Sequence, residues 1–196
     1  MYVASSTGGL ILGGYDPSKY QGSLTALPIV PAEDGASRLA VEWDSISITG
    51  ANGATTQYTS ISRPFPKSGS LDTGFSFTTL PDDILEQFAV VFGGTIYSNG
   101  VVILDNNPGC TLGQGFVNFG LGGGTVTISV PFSELAIQDT DGTCYLGFQE
   151  VGDDPVLSLG DTFLRSAYVV YDFDAMTISL AQATYDSTCT DCVIPL

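Results

Sequence analysis

Ser70-Leu71-Asp72-Thr73-Gly74 sets a carboxylate between an apolar residue and a Thr-Gly turn, and such a turn can point backbone amides at the carboxylate oxygens. A few residues on, Leu80-Pro81-Asp82-Asp83 has the marks of a helix start. Proline comes early, two carboxylates lie at the positive end of the dipole, and Ile84, Leu85 and Phe88 share one face behind them. The helix is predicted to fade by Gly93.

On either side the chain reads as strands punctuated by turns. Upstream, Leu10-Ile11-Leu12-Gly13-Gly14 is read as a buried strand ending in a glycine pair, and Tyr15-Asp16-Pro17-Ser18 follows with turn chemistry. Residues 23–30 are extended. Residues 39–49 alternate as a strand, with Leu39, Val41 and Trp43 on one face. Ile46 and Ile48 continue that face after a shift of register at Asp44 and Ser45, and Gly50 to Gly53 makes a hairpin turn. Downstream, residues 101–104, 115–119, 125–130 and 156–159 are strands, and residues 132–137 and 161–166 hold short helical turns. Residues 168–173 and 177–181 form a hairpin turning at Asp174 and Ala175.

Composition agrees with β structure, because aromatics and β-branched residues are spread evenly rather than at helical spacing. The length of 196 residues suits one domain. A net charge of −16 and only five basic residues set the chain against phosphates, so nucleic acid and anionic membrane surfaces are excluded as partners. The same balance suits a protein working in acid, where carboxylates are partly neutralised, and equally one whose acidity only maintains solubility. No segment reaches the ~20 apolar residues of a membrane span. Residues 1–14 lack the basic start and cleavage site of a signal peptide, and read as the interior of a longer chain.

The four cysteines form two unlike pairs, Cys110 with Cys144 and Cys189 with Cys192. Three connectivities are open, and separation along the chain favours two local bridges. Cys189-Thr190-Asp191-Cys192 has redox or metal spacing, yet no histidine completes a zinc site and no βαβ context surrounds it, so a structural bridge is the better reading.

Most catalytic devices are missing. Without histidine there is neither a Ser-His-Asp nor a Cys-His nucleophile system. Residues 120–124 lack the spacing and following helix of a phosphate loop, and read as a hairpin turn. Carboxylates remain, most of them surface charge, with Asp72 standing out.

Leu71-Asp72-Thr73-Gly74 followed by Leu80-Pro81 resembles the second active-site motif of pepsin-like aspartic proteases of fungal type. Leu12-Gly13-Gly14-Tyr15-Asp16 with Lys19-Tyr20-Gln21-Gly22 is similar to the opening hairpin of that family's C-terminal lobe, and residues 43–52 to its next strand pair. Leu159-Gly160-Asp161-Thr162-Phe163-Leu164-Arg165 is similar to the stretch that threads beneath the active-site loop, and residues 168–181 to the closing hairpin. The Cys110 and Cys144 spacing also fits that lobe's single disulfide.

The resemblance implies an all-β fold with short helices, one half of the bilobal acid-protease fold, over residues 1–183. Residues 184–196 form a tail with a Cys pair, expected against a partner lobe. It implies a secreted or extracellular, alternatively vacuolar, endopeptidase needing no cofactor or metal. Two aspartates, one per lobe, share a proton and activate a water that attacks a peptide carbonyl. Asp72 is this chain's catalytic residue, and Leu71 and Thr73 shape its loop. Gly74, Phe75 and Ser76 contact an extended peptide substrate, and Tyr20 lines a primed-side pocket. The other aspartate and the flap belong to an N-terminal lobe, without which the chain is expected to be inactive. One departure matters at the site. Where the family has a hydroxyl residue bonding the aspartate's outer oxygen, this chain has Phe75, so that either the contact is missing or Ser76 or Thr78 replaces it. The competing readings are a non-catalytic peptide-binding module on the same fold, and a homodimer in which two copies of Asp72 meet.

Overall fold

The computed structural model describes residues 2–3, 8–32, 35, 38–107, 109–184 and 192–195. The chain opens with the antiparallel pair β1 (Tyr2–Val3) and β2 (Gly8–Gly9), then β3 (Gly14–Tyr15). A 3-10 turn at Pro17–Lys19 follows, capped by Asp16, whose Oδ1 accepts from the Ser18 amide at 2.9 Å. Leu10-Ile11-Leu12 is not the buried strand expected from sequence. Leu10 is 72% exposed and Leu12 86%. Three apolar residues carry no period that tells an inward strand from an outward-facing segment, and the backbone pairing falls on the glycines at either side.

Next come β4 (Tyr20–Pro28), β5 (Ala40–Gly50), β6 (Thr55–Tyr58), β7 (Lys67–Leu71), β8 (Thr78–Leu80) and the helix α1 (Asp82–Phe92). Beyond α1 lie β9 (Gly94–Ile96), β10 (Val101–Leu104), β11 (Gly115–Leu121), β12 (Val126–Pro131), β13 (Ala136–Gln138) and β14 (Cys144–Glu150). The end of the chain supplies β15 (Leu157–Leu159), one turn of helix α2 (Asp161–Leu164), the hairpin β16 (Ala167–Asp172) and β17 (Thr177–Ala183), and β18 (Ile194–Pro195).

Three sheets organise these elements. One runs β12-β11-β5-β7-β15 with β6 on β5, a second β13-β14-β10-β9 with β8 on β14, and a third β16-β17-β4. The register shift read at Asp44 and Ser45 is a bulge. Gly120 faces Ser45 and Leu121 faces Trp43, which leaves Asp44 over, and its carboxylate accepts from the Gly124 amide at 3.0 Å. The bulge returns Trp43, Ile46 and Ile48 to one buried face. There the Trp43 ring lies 5.3 Å from Phe119, and Phe119 lies 5.1 Å from Phe163 and 6.5 Å from Phe148, so one aromatic core joins the first two sheets and α2.

Helix α1 buries Ile84, Leu85, Phe88 and Ala89 and stops at Gly93, whose left-handed backbone (φ 70°) lets its amide reach the Ala89 and Val90 carbonyls. Asp83 ties its first turn to residues 60–62. Its carboxylate accepts from the Ser60 hydroxyl at 2.7 Å, the Ile61 amide at 2.6 Å, and the Ser62 amide and hydroxyl at 3.4 and 3.2 Å. Burial pushes this carboxyl up, but the hydrogen bonds outweigh it and hold the group below its ordinary value of 3.8. A depressed carboxyl stabilises the fold above its unfolded value, and that contribution is lost as pH falls through the lowered folded value. Urea denaturation of Asp83→Asn is therefore expected to show a deficit of about 1 kcal/mol near neutral pH, modest because the group is part exposed. The deficit narrows as the medium is acidified below 3.8.

Cys110 and Cys144 are bonded, closing a separation of 34 residues between the loop after β10 and the start of β14. Replacing both by serine is expected to cost about 3 to 4 kcal/mol from released chain entropy, read as a lower urea midpoint. Cys192 is also disulfide-bonded, while Cys189, its expected partner, lies outside the described residues.

Candidate active site

Strands β7 and β15 lie side by side and parallel, Gly69 against Leu157 and Leu71 against Leu159. The pairing carries one step past the strand ends, where the Asp72 amide donates to the Leu159 carbonyl at 3.1 Å. The chain then turns at Thr73 and Gly74, and the Gly74 amide donates to Asp72 Oδ1 at 2.9 Å. This is the backbone-to-carboxylate contact that the Asp-Thr-Gly turn implies. Asp72 is half-buried, Leu71 is buried, and Thr73, Gly74 and Ser76 are exposed.

Residues 160–162 pass beneath the loop and fasten it. The Asp161 amide donates to the Phe75 carbonyl at 2.8 Å and the Thr162 amide to the Ser76 carbonyl at 3.2 Å. A side chain at Gly160 would run into the carbonyl oxygens of Phe75 and Phe77, so only glycine lets the two segments approach this closely. Below, the hydroxyls of Thr78 and Thr162 pair at 3.1 Å, and Thr162 donates to the Gly147 carbonyl at 2.8 Å.

Of the two alternatives at Phe75, the structure has the missing contact rather than a replacement by Ser76 or Thr78. Thr78 is fully buried and turned to Thr162, and the exposed Ser76 side chain makes no hydrogen bond to Asp72 among the described residues. Phe75 is half-buried, with its ring 6.4 Å from Phe77. Phe77 in turn stands 6.4 Å from Tyr145. Phe75, Phe77 and Tyr145 thus form a run of aromatic rings that begins in the Asp72 loop.

A second carboxyl near the loop went without a role in the sequence reading. Asp161 is pushed up first by burial and also by the negative charge of Asp72, while Arg165 works against both. Arg165 also pairs with Glu134 at 3.9 Å. A raised carboxyl stabilises the fold in acid, and that contribution fades as pH rises through its shifted value. The available signal was its place immediately after Leu159-Gly160, where any acidic residue comes under the Asp72 loop.

Leu71, Asp72, Thr73, Gly74, Phe75 and Ser76 thus share one fastened loop, and Tyr20 belongs to another cluster. It begins β4 opposite Ala183, with its ring 5.1 Å from Tyr168. A cavity of about 350 Å³ is lined by Leu10, Leu12, Lys19, Tyr168 and Phe173, not by Asp72. Among the described residues no group of three or more metal-ligating side chains comes together, and no helix is long and apolar enough to cross a membrane.

The family model described as eukaryotic aspartyl protease matches residues 1–183. Candidapepsin of Candida tropicalis is 38% identical over 186 residues, covering 94% of this chain and 42% of the relative. Secreted aspartic protease 8 of Candida albicans is 38% identical over 187 residues, covering 95% and 40%. Barrierpepsin of Saccharomyces cerevisiae is 33% identical over 192 residues, covering 94% and 31%. The chain spans less than half the length of these curated relatives. The matched residues run through the Asp72 turn and the segment threaded beneath it, and the chain belongs to the eukaryotic aspartyl protease family.

Proposed function

We propose that this chain is the C-terminal lobe of a pepsin-like aspartic endopeptidase and supplies one of the two aspartates that hydrolyse peptide bonds in acid. The observation that carries the reading is the half-buried Asp72 carboxylate at a strand end, accepting from the Gly74 amide in a loop braced by residues 159–162. Two such carboxyls in contact cannot both ionise cheaply, so one keeps its proton. The ionised one takes a proton from a water as the water oxygen bonds to the peptide carbonyl carbon, and the protonated one gives its proton to the carbonyl oxygen. The tetrahedral intermediate then collapses, its C–N bond breaking as the amine nitrogen takes a proton from the pair and a hydroxyl proton returns to it. The pair titrates as a unit. Exposed Gly74 and Ser76 suit main-chain contact with an extended peptide, Phe75 offers an apolar wall, and Tyr20 meets a side chain on the primed side. The second aspartate comes from an N-terminal lobe. Secretion fits both the Cys110–Cys144 bond and the word secreted in a relative's name.

Phe75 also favours a second reading, a peptide-binding module that no longer cleaves. The deciding experiment assays an unfolded protein substrate at about pH 4 with this lobe alone, with an N-terminal lobe, and with both. Cleavage by the pair only is expected. Cleavage by this lobe alone would overturn the shared dyad, and a pair that binds a transition-state peptide mimic without cleaving would establish the binding module.

A further inference from the structure

The end of the chain returns to its beginning. Thr184, the residue after β17, donates its amide to the Lys19 carbonyl at 2.9 Å. Farther along, β18 pairs antiparallel with β3, Ile194 opposite Tyr15 and Pro195 opposite Gly14. The turn between Gly14 and Tyr20 is therefore gripped at both ends by C-terminal residues. The described end of the tail thus pairs with its own lobe.

The turn is built to be held. Its Asp16 is buried, accepts from the Ser18 amide and hydroxyl at 2.9 and 2.6 Å, and donates its own amide to the Tyr168 hydroxyl at 2.7 Å. Tyr168 in turn supports the Tyr20 ring at 5.1 Å. Gly14 admits the returning strand because a β-carbon there would meet the Ile194 carbonyl oxygen at 2.6 Å and Val193 Cγ1 at 2.9 Å.

We propose that Thr184 and Ile194–Pro195 are the two ends of a strap that fixes the turn and, through Tyr168, sets the Tyr20 ring. The tail is then a positioning element for the substrate side chain that Tyr20 meets, an inference that rests on the protease reading above. A two-residue strand pair is weak alone, so its contribution is to hold an already hydrogen-bonded turn in one orientation.

Hydrogen exchange on the 196-residue chain tests the strap directly. In a variant ending at Cys192, the amides of Asp16, Ser18 and Lys19 are expected to exchange about tenfold faster than in the parent. Gly14→Val, which blocks the returning strand without shortening the chain, should do the same. In the complete protease the truncation is expected to raise KM about fivefold for peptides with a bulky residue just after the scissile bond, and less than about twofold with alanine there, at unchanged kcat. Unchanged exchange in both variants overturns the strap. Faster exchange with an equal rise in KM for the two peptides overturns the positioning of Tyr20. A parent protease with no activity sinks the function proposed above and leaves the strap to be decided by exchange alone.

Discussion

Asp72→Asn, placed in the complete protease, is expected to lower kcat by roughly 10³- to 10⁴-fold while KM changes little. Asparagine keeps an oxygen for the Gly74 amide, which now meets Asp72 Oδ1 at 2.9 Å, so the loop retains its backbone bonds. What it loses is the ability to share a proton with the opposing carboxyl or to take one from water. The melting temperature should therefore stay within about 2 °C of the parent. A variant that melts normally and still cleaves at more than about a tenth of the parent rate would remove Asp72 from the chemistry.

The second large effect is expected at Gly160. Its backbone (φ −86°, ψ −162°) is open to any residue, so conformational freedom does not explain the glycine. Space does, because a β-carbon would collide with the carbonyl oxygens of Phe75 and Phe77. Those oxygens belong to backbone, and Phe75 is already committed to the Asp161 amide, so neither side can yield cheaply. Gly160→Val is expected to cost about 4 to 5 kcal/mol, the top of the range for one substitution. Gly160→Ala, if it folds, should shift the loop enough to cost about 10²-fold in kcat/KM. Urea denaturation reads the first result and peptide kinetics the second. A valine variant of parental stability would mean that the threaded segment is not packed against the loop.

Much of this arrangement is legible in the amino acids. Helix α1 declares itself through Pro81, the paired aspartates and the spacing of Ile84, Leu85 and Phe88, and the break in alternation at Asp44 marks the bulge where it occurs. The Asp72 turn is readable because Thr-Gly after a carboxylate implies the amide contact found at Gly74. Other features are not local. Nothing between Lys67 and Leu71 announces a strand whose partner lies at residues 157–159, since Ser68, Gly69 and Ser70 have low strand preference and are buried between that partner and β5. The exposed Leu10 and Leu12 mislead for the opposite reason, being strand-like in character yet outside any strand ladder. The loss of a hydroxyl at Phe75 is visible in sequence, but the failure of Thr78 to replace it needs its partner Thr162, far along the chain.

The parallel ladder between residues 69–71 and 157–159 also bears on when the protein acquires its chemistry. Contacts of such long sequence separation form slowly, after the chain-closure entropy has been overcome. A ribosome must therefore deliver nearly the whole lobe before the carboxylate is braced. Chains that stop before residue 157 lack the strand that braces the Asp72 loop, so the site is assembled only near the end of synthesis.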